Sequence, residues 1–269
     1  MTDTDDHLKF SALASGSTGN CTYFETPHHK ILVDAGLSGK RIAALMKKIG
    51  RSLNDVEALF VTHEHNDHAH GVGVLARRYG MAVYANRGTW AAMSKRIGKI
   101  DPLQKHLLEP GEVKDFGDMQ VESFAVSHDA AEPQFYQVHH DDESFCVLTD
   151  TGYVSDSVCG TIKDADGYLM ECNHDIQMLE EGPYSWPLKQ RILGDEGHLS
   201  NEEGADALMN VVGRRTKQIL LGHRSQHNNR RSLAHLTVAS LMAEHDFAVD
   251  EDFKISDAEP DQPTPLTML

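Results

Sequence analysis

Three imidazoles and a carboxylate fall within six consecutive residues, His63-Glu64-His65-Asn66-Asp67-His68. Neutral imidazole nitrogen and carboxylate oxygen are donors that borderline divalent cations accept, so the run reads as a metal site. Its spacing supplies geometry. The apolar run 58–62 that precedes it has the pattern of a buried strand, which sets His63 and His65 two residues apart at a strand end, pointing the same way. A helix starting near Ala69 then turns the chain, so that Asp67 and His68 return from a second direction. One pair can hold one ion and the other pair a second ion beside it. A solvated histidine-rich loop, extended by His70, is the alternative. The acid inside the run and the buried strand leading into it weigh against that.

Two ions need more donors than this run offers, and three single residues after strand-like runs are candidates. His128 follows residues 121–126, Asp150 follows 145–149 and His223 follows 219–221, with His227 close enough to His223 to compete. Each alone reads more readily as an ordinary surface or core residue. Together, three strand-end donors in chain order form a pattern.

The elements that must carry these residues alternate between strand and helix. Short strands are expected at 8–14, 21–25 and 31–33, with turn chemistry in Ser15-Gly-Ser-Thr-Gly-Asn20. Apolar Ile42, Leu45, Met46 and Ile49 have helical spacing over 41–49, ended by Gly50. Helix 72–79, strand 82–85 and helix 89–97 follow, then consecutive strands over 112–149. Ser200-Asn-Glu-Glu203 is a capping box that opens a helix to about residue 212, followed by a strand at 218–221 and a helix at 232–243. This order predicts two packed sheets covered by helices. No linker or repeat interrupts it, so residues 1–256 read as one domain. The acidic, proline-containing segment 257–269 lacks periodicity and is expected to be disordered.

Composition narrows the setting. Of 269 residues, 40% are hydrophobic, enough for a packed core, and no apolar run approaches membrane-spanning length. The start, MTDTDDHLKF, lacks the basic and apolar regions of a secretory signal, and the four cysteines form no Cys-x-x-Cys pair. A cytoplasmic protein with reduced thiols is expected, with Cys146 and Cys172 packed in the core. A net charge of −16 argues against nonspecific wrapping of nucleic acid by the whole surface.

The run Thr62-His-Glu-His-Asn-Asp-His68, with His128, Asp150 and His223 following, resembles the metallo-β-lactamase fold superfamily over roughly Leu8 to Ala243. Ala14-Ser-Gly-Ser-Thr-Gly-Asn20, Leu32-Val-Asp-Ala-Gly-Leu-Ser38, Thr149-Asp-Thr-Gly152, Glu171-Cys-Asn-His-Asp175 and Gly197-His-Leu-Ser-Asn201 are similar to its YycJ/WalJ-like exonuclease group. The resemblance implies an α/β (α+β) fold, a four-layer αββα sandwich. It implies a 5′-to-3′ exodeoxyribonuclease acting in DNA repair or cell-wall stress signalling. By position, His63, His65 and His128 would hold a first metal and Asp67, His68 and His223 a second, with Asp150 bridging. This chain has Arg224 where the group's usual pattern has Leu or Phe, which keeps His227 open as the last ligand.

Two divalent ions, zinc or manganese, about 3.5–4 Å apart can share a bridging water and lower its pKa from 15.7 towards about 7, giving hydroxide to attack a phosphodiester. Asp67 is placed to orient that water. His198, just before the capped helix, matches a proton-donating histidine of the superfamily's phosphodiesterases; packing at a helix start is its other reading. His174 follows the apolar run 168–172 and is a candidate phosphate contact or support for the metal ligands. Asp34 either orients a metal-binding histidine or is a plain turn aspartate. The loop holding Ser17 and Asn20 can offer N–H groups to a phosphate, although a glycine-serine turn explains it better. Trp90 and Tyr84 read as core aromatics. The basic pairs, such as Lys47-Lys48 and Arg77-Arg78, read as solvated helix faces with a subset free to track a phosphate backbone.

DNA is thus the expected partner, with no membrane. Rival readings share the ligands: a tRNA 3′-end endonuclease, a glyoxalase II-type thioesterase, a β-lactamase (disfavoured without an export signal) and a non-enzymatic metal-dependent module. A β-CASP ribonuclease is excluded, because Asp150 and His223 stand too close in sequence for its inserted domain.

Overall fold

The computed structural model describes residues 6–269, and of the acidic N-terminal residues Asp3 and Asp5 lie outside them. The chain forms two compact units. The first takes Met1–Ala125, Ala130–Ser144 and Glu259–Leu269, and the second Val126–Asp129 and Phe145–Ala258. Because both draw on separate segments, no linker marks them, and reading along the chain sees one domain over 1–256.

In the first unit, β1 (Lys9–Ala14), β2 (Cys21–Glu25) and β3 (Lys30–Val33) run antiparallel. Helix α1 (Gly39–Lys48) then leads to β4 (Ala58–Phe60), parallel to β3. Helices α2 (Asn66–Ala69) and α3 (Val72–Tyr79) connect to β5 (Ala82–Ala85), and α4 (Arg87–Ile97) to β6 (Lys105–Leu107), both parallel. β4 is buried throughout, as befits an inner parallel strand covered by helices. Ile42, Leu45 and Met46 from α1 and Leu75 from α3 share one apolar cluster with Leu32 and Leu59 of the sheet and with Val61 just after β4. Ser38 caps α1 by accepting the Arg41 N–H, which starts the helix before the predicted Arg41. Three more strands, β7 (Val113–Asp115), β8 (Gln120–Ala125) and β9 (Gln134–His140), form an antiparallel ladder.

The second unit is built on parallel strands. β10 (Glu143–Leu148), which enters it from Phe145 onward, is followed by α5 (Asp156–Ile162) and β11 (Gly167–Glu171). Two short helices, α6 (Ile176–Glu181) and α7 (Trp186–Ile192), precede α8 (Asn201–Val211), which carries the complete capping box of Ser200 and Glu203. β12 (Gln218–Gly222), α9 (Arg231–Glu244) and β13 (Lys254–Asp257) complete the unit.

The segment 257–269 is a correction to the expectation from sequence: it is ordered. Asp257 ends β13, and β14 (Thr267–Met268) pairs antiparallel with β1 of the first unit. Thr264 accepts from Ser11 Oγ at 2.7 Å through its carbonyl and from Ala12 N–H at 3.0 Å through its hydroxyl. Main-chain pairing along an open strand edge orders this stretch, and composition carries no trace of such pairing. All four cysteines are thiols, not disulfides, with Cys146 and Cys172 fully buried as expected. Among the described residues, no helix is long and apolar enough to cross a membrane.

Candidate metal centre

The first unit gathers the histidine run at the end of β4. His63 and His68 are fully buried, and the His63 ring lies 4.7 Å from that of His65 and 4.1 Å from that of His68, centre to centre. Asp67 Oδ2 is 3.7 Å from His68 Nε2. Asp34 fixes the arrangement. One carboxylate oxygen accepts the Thr62 N–H at 2.9 Å; the other accepts the Thr62 hydroxyl at 2.9 Å and His68 Nδ1–H at 2.8 Å. With Nδ1 donating, His68 presents Nε2 as its lone-pair nitrogen, and the Asn20 amide donates to it at 2.9 Å. Burial pushes the Asp34 carboxyl up from its usual range, against the pull of His68 and Thr62. Asp34 therefore takes the orienting role, not that of a plain turn residue.

The surrounding loops interlock. Asn20 N–H donates to the Asp67 carbonyl and Ala35 N–H to that of His68. A Cβ on Gly36 would meet the Asp67 carbonyl oxygen at 1.6 Å, so only glycine fits there. Asn20 is nearly buried, and its side-chain oxygen accepts the Gly16 N–H at 2.9 Å. The Ser17–Asn20 loop thus supports the Asp67–His68 backbone, and the substrate-binding reading of Asn20 gives way because its amide is engaged inside the protein; Ser17 is exposed at the turn. Glu64 accepts the Ala131 N–H and braces the loop.

The second unit gathers donors at the C-terminal ends of its parallel strands. Asp150 follows β10 and His223 follows β12, both with left-handed backbone (φ 50° and 51°). His223 Nε2 lies 3.0 Å from Asp150 Oδ1, and His128 Nε2 lies 3.9 Å from the same oxygen. His128 Nδ1–H donates to the Gly197 carbonyl at 3.0 Å, and burial lowers its pKa. His227 is exposed and packs on Tyr184, so it does not join the cluster. Arg224 explains the departure at the next position: its guanidinium grips the carbonyls of Leu221 and Ala258 and the Asp257 carboxylate, clamping the turn that holds His223.

His198 sits against this group through a residue that sequence reasoning missed. Glu171, fully buried at the end of β11, accepts His198 Nδ1–H at 2.7 Å and the Thr151 N–H at 3.0 Å. Asp150 Oδ1 is 3.4 Å from the same imidazole nitrogen. Burial opposes the charged ring of His198, but Glu171, then Asp150 and Asp129, outweigh it and hold its pKa up to about 9. The available signal was positional: Glu171 ends an otherwise apolar strand, as Asp150 and His223 follow theirs. His174 is fully buried, its carbonyl accepts the Asn201 N–H, and burial lowers its pKa. Trp90 and Tyr84 are core aromatics, and Trp90 Nε1–H donates to the His106 carbonyl.

Both units therefore concentrate imidazole and carboxylate donors, most of them buried and several oriented by further hydrogen bonds. That chemistry fits divalent cations. Asp150 and Glu171 are buried carboxylates brought close together, an arrangement that favours positive charge nearby, and His198 supplies part of it.

Comparison with known proteins agrees with this construction. Exodeoxyribonuclease WalJ of Streptococcus pneumoniae serotype 2 is 57% identical over 97% of this chain and 98% of its own length. Exodeoxyribonuclease YycJ of Bacillus anthracis is 51% identical over 96% and 98%. The solved structure of the metallo-β-lactamase fold protein YhfI from Bacillus subtilis superposes with a TM-score of 0.71 at 14% identity, covering 96% of this chain and 99% of that one. At that identity the superposition speaks for the fold, which is the metallo-β-lactamase fold that the sequence resemblance implied. The family model described as the metallo-β-lactamase superfamily matches residues 14–223. That span begins at the end of β1 and closes on His223, and the chain belongs to the metallo-β-lactamase superfamily.

Proposed function

We propose that this chain is a metal-dependent exodeoxyribonuclease that hydrolyses DNA phosphodiesters, with the 5′-to-3′ polarity implied by its resemblance to the YycJ/WalJ-like group. The relatives that are more than half identical over nearly their whole length carry the name exodeoxyribonuclease. His63, His65 and His128 would hold one divalent ion and Asp67, His68 and His223 a second, with Asp150 shared. Zinc and manganese both suit this donor set. When bound, such ions supply Lewis acidity and make water a nucleophile at neutral pH.

The observation that carries the proposal is the pairing of His198 with Glu171. A fully buried carboxylate holds Nδ1–H and favours the charged ring, which leaves Nε2–H to give a proton to the departing alkoxide. Gly197, whose carbonyl holds His128, and Leu199, whose N–H reaches Glu171, fix that imidazole from both sides in sequence. Asp67, partly exposed beside His68, orients the attacking water. His174 supports the ligand-bearing loops from the interior, and Ser17 remains a candidate contact to a phosphate. The unbridged thiols support a reducing, cytoplasmic setting.

The test is digestion of end-labelled duplex and single-stranded DNA with manganese and with zinc, beside a tRNA precursor and a glutathione thioester. Stepwise release of nucleotides from the 5′ end is expected. Inert DNA with turnover of either other substrate overturns the proposal.

A further inference from the structure

Two aromatic side chains stand out in solvent among the described residues, Trp186 at 64% exposed and Tyr153 at 50%. Both belong to the unit that gathers Asp150, Glu171, His198 and His223. The other tryptophan, Trp90, is 8% exposed and serves the core. At 64% exposed, most of the Trp186 ring is left open to anything that approaches it, and an aromatic face can hold a base.

The helix bearing Trp186 is fixed to the catalytic residues. Arg191 on α7 pairs with Asp129, the neighbour of His128. Asp129 N–H donates to the Glu196 carbonyl at 3.1 Å, Ser127 Oγ donates to that of Asp195 at 2.7 Å, and His198 N–H donates to that of Ile192 at 3.0 Å. Trp186 and Ile192 are the two ends of the same helix, about 9 Å apart along its axis at 1.5 Å per residue. That span is a few nucleotides of strand at most. Pro187 follows the tryptophan and stiffens the backbone there. Tyr153 lies on the loop after Asp150, its carbonyl held by the Thr151 hydroxyl at 2.7 Å.

Charge does not offer a rival way of binding a strand here. The flanks of α7 carry Glu180, Glu181, Asp195 and Glu196. The cations on the helix are engaged, Arg191 by Asp129 and Lys189 by the Glu180 carbonyl. A ring face, unlike a lysine, holds a base without needing a phosphate.

We propose that Trp186 is a stacking platform for an unpaired base of the strand being digested, close to His198. The inference rests on the exodeoxyribonuclease reading and adds a substrate subsite to it.

Steady-state digestion of a 5′-labelled single-stranded oligonucleotide by wild type, Trp186→Ala and Trp186→Phe tests it, with melting temperature and metal content checked in parallel. The Ala variant should raise KM about five- to a hundredfold with little change in kcat, and the Phe variant should recover most of the loss. The dependence of binding on salt should keep its slope, because no phosphate contact is removed. In the His65→Ala background, which is expected not to cleave, the oligonucleotide should quench tryptophan emission, and Trp186→Phe should abolish the quench. An active nuclease whose KM ignores Trp186→Ala overturns the platform alone. Phe performing no better than Ala also overturns it. A wild-type protein that digests no DNA overturns the exonuclease reading, and the platform with it.

Discussion

Replacing Asp34 by Asn exchanges a single oxygen for an NH2 group and should disable His68 as a metal ligand from the far side of its ring. The carboxylate accepts three hydrogen bonds, from Thr62 N–H, the Thr62 hydroxyl and His68 Nδ1–H. An asparagine keeps one acceptor oxygen and adds two donors. If the oxygen stays on Thr62 N–H, the NH2 faces His68 Nδ1–H, donor against donor. His68 relieves that by moving its proton to Nε2, which removes the lone pair proposed to bind metal. If the amide turns over, the NH2 faces the Thr62 N–H instead. Either way a buried donor is mismatched, at a cost of about 1–3 kcal/mol. Loss of such an orienting partner lowers metal affinity about 10–100-fold. Backbone strain does not confuse the result, since Asp34 sits at φ 64° and asparagine accepts that region readily. Metal content after dialysis and chelator competition measure the affinity, with thermal melting as the control. A variant that keeps wild-type metal affinity and activity refutes the tautomer argument.

Three further outcomes are expected. His65→Ala and Asp67→Ala each abolish DNA digestion while far-UV circular dichroism stays as in wild type; full activity in either removes these residues from the proposed centre. His198→Ala lowers kcat by about 10²–10⁴-fold without loss of bound metal, and metal loss would make His198 a ligand instead of an acid. Glu25, despite burial that opposes its charge, is held below the usual carboxylate range by Arg51 and Tyr23. Its stabilising contribution is therefore present above its unfolded pKa and is lost as pH falls through the lower folded value. Melting temperature measured from neutral to acid pH should fall less steeply for Glu25→Gln, and equal slopes would show that the Arg51 pair adds nothing.

The donor pattern was legible because imidazoles and carboxylates in tight spacing, each delivered by an apolar run, rarely gather for any purpose but holding a cation. His63, His65, Asp67 and His68 gather in one unit and His128, Asp150, His198 and His223 in the other; all but His198, which precedes a capped helix, follow strand-like runs visible in sequence. The roles of Glu171 and Arg224 were not legible, for a different reason. Their partners, His198 and Asp257, are some thirty residues away, and nothing local distinguishes a carboxylate that receives an imidazole from one that faces water. Helices α6 and α7 span fewer than two full turns each, too little for apolar spacing to declare a period. Segment 257–269 misled in the opposite direction: prolines and acids describe what its side chains avoid, whereas its order comes from main-chain bonds to β1 and its flank.

That pairing makes the C-terminal strand a guard. Among the described residues β1 has β2 on one side and only β14 on the other, so trimming residues 259–269 would bare a row of amide and carbonyl groups along a buried, apolar strand. Bare edges of this kind recruit strands from other molecules. A shortened version should clump before it loses its histidine cluster, and affinity handles are better attached at the opposite terminus.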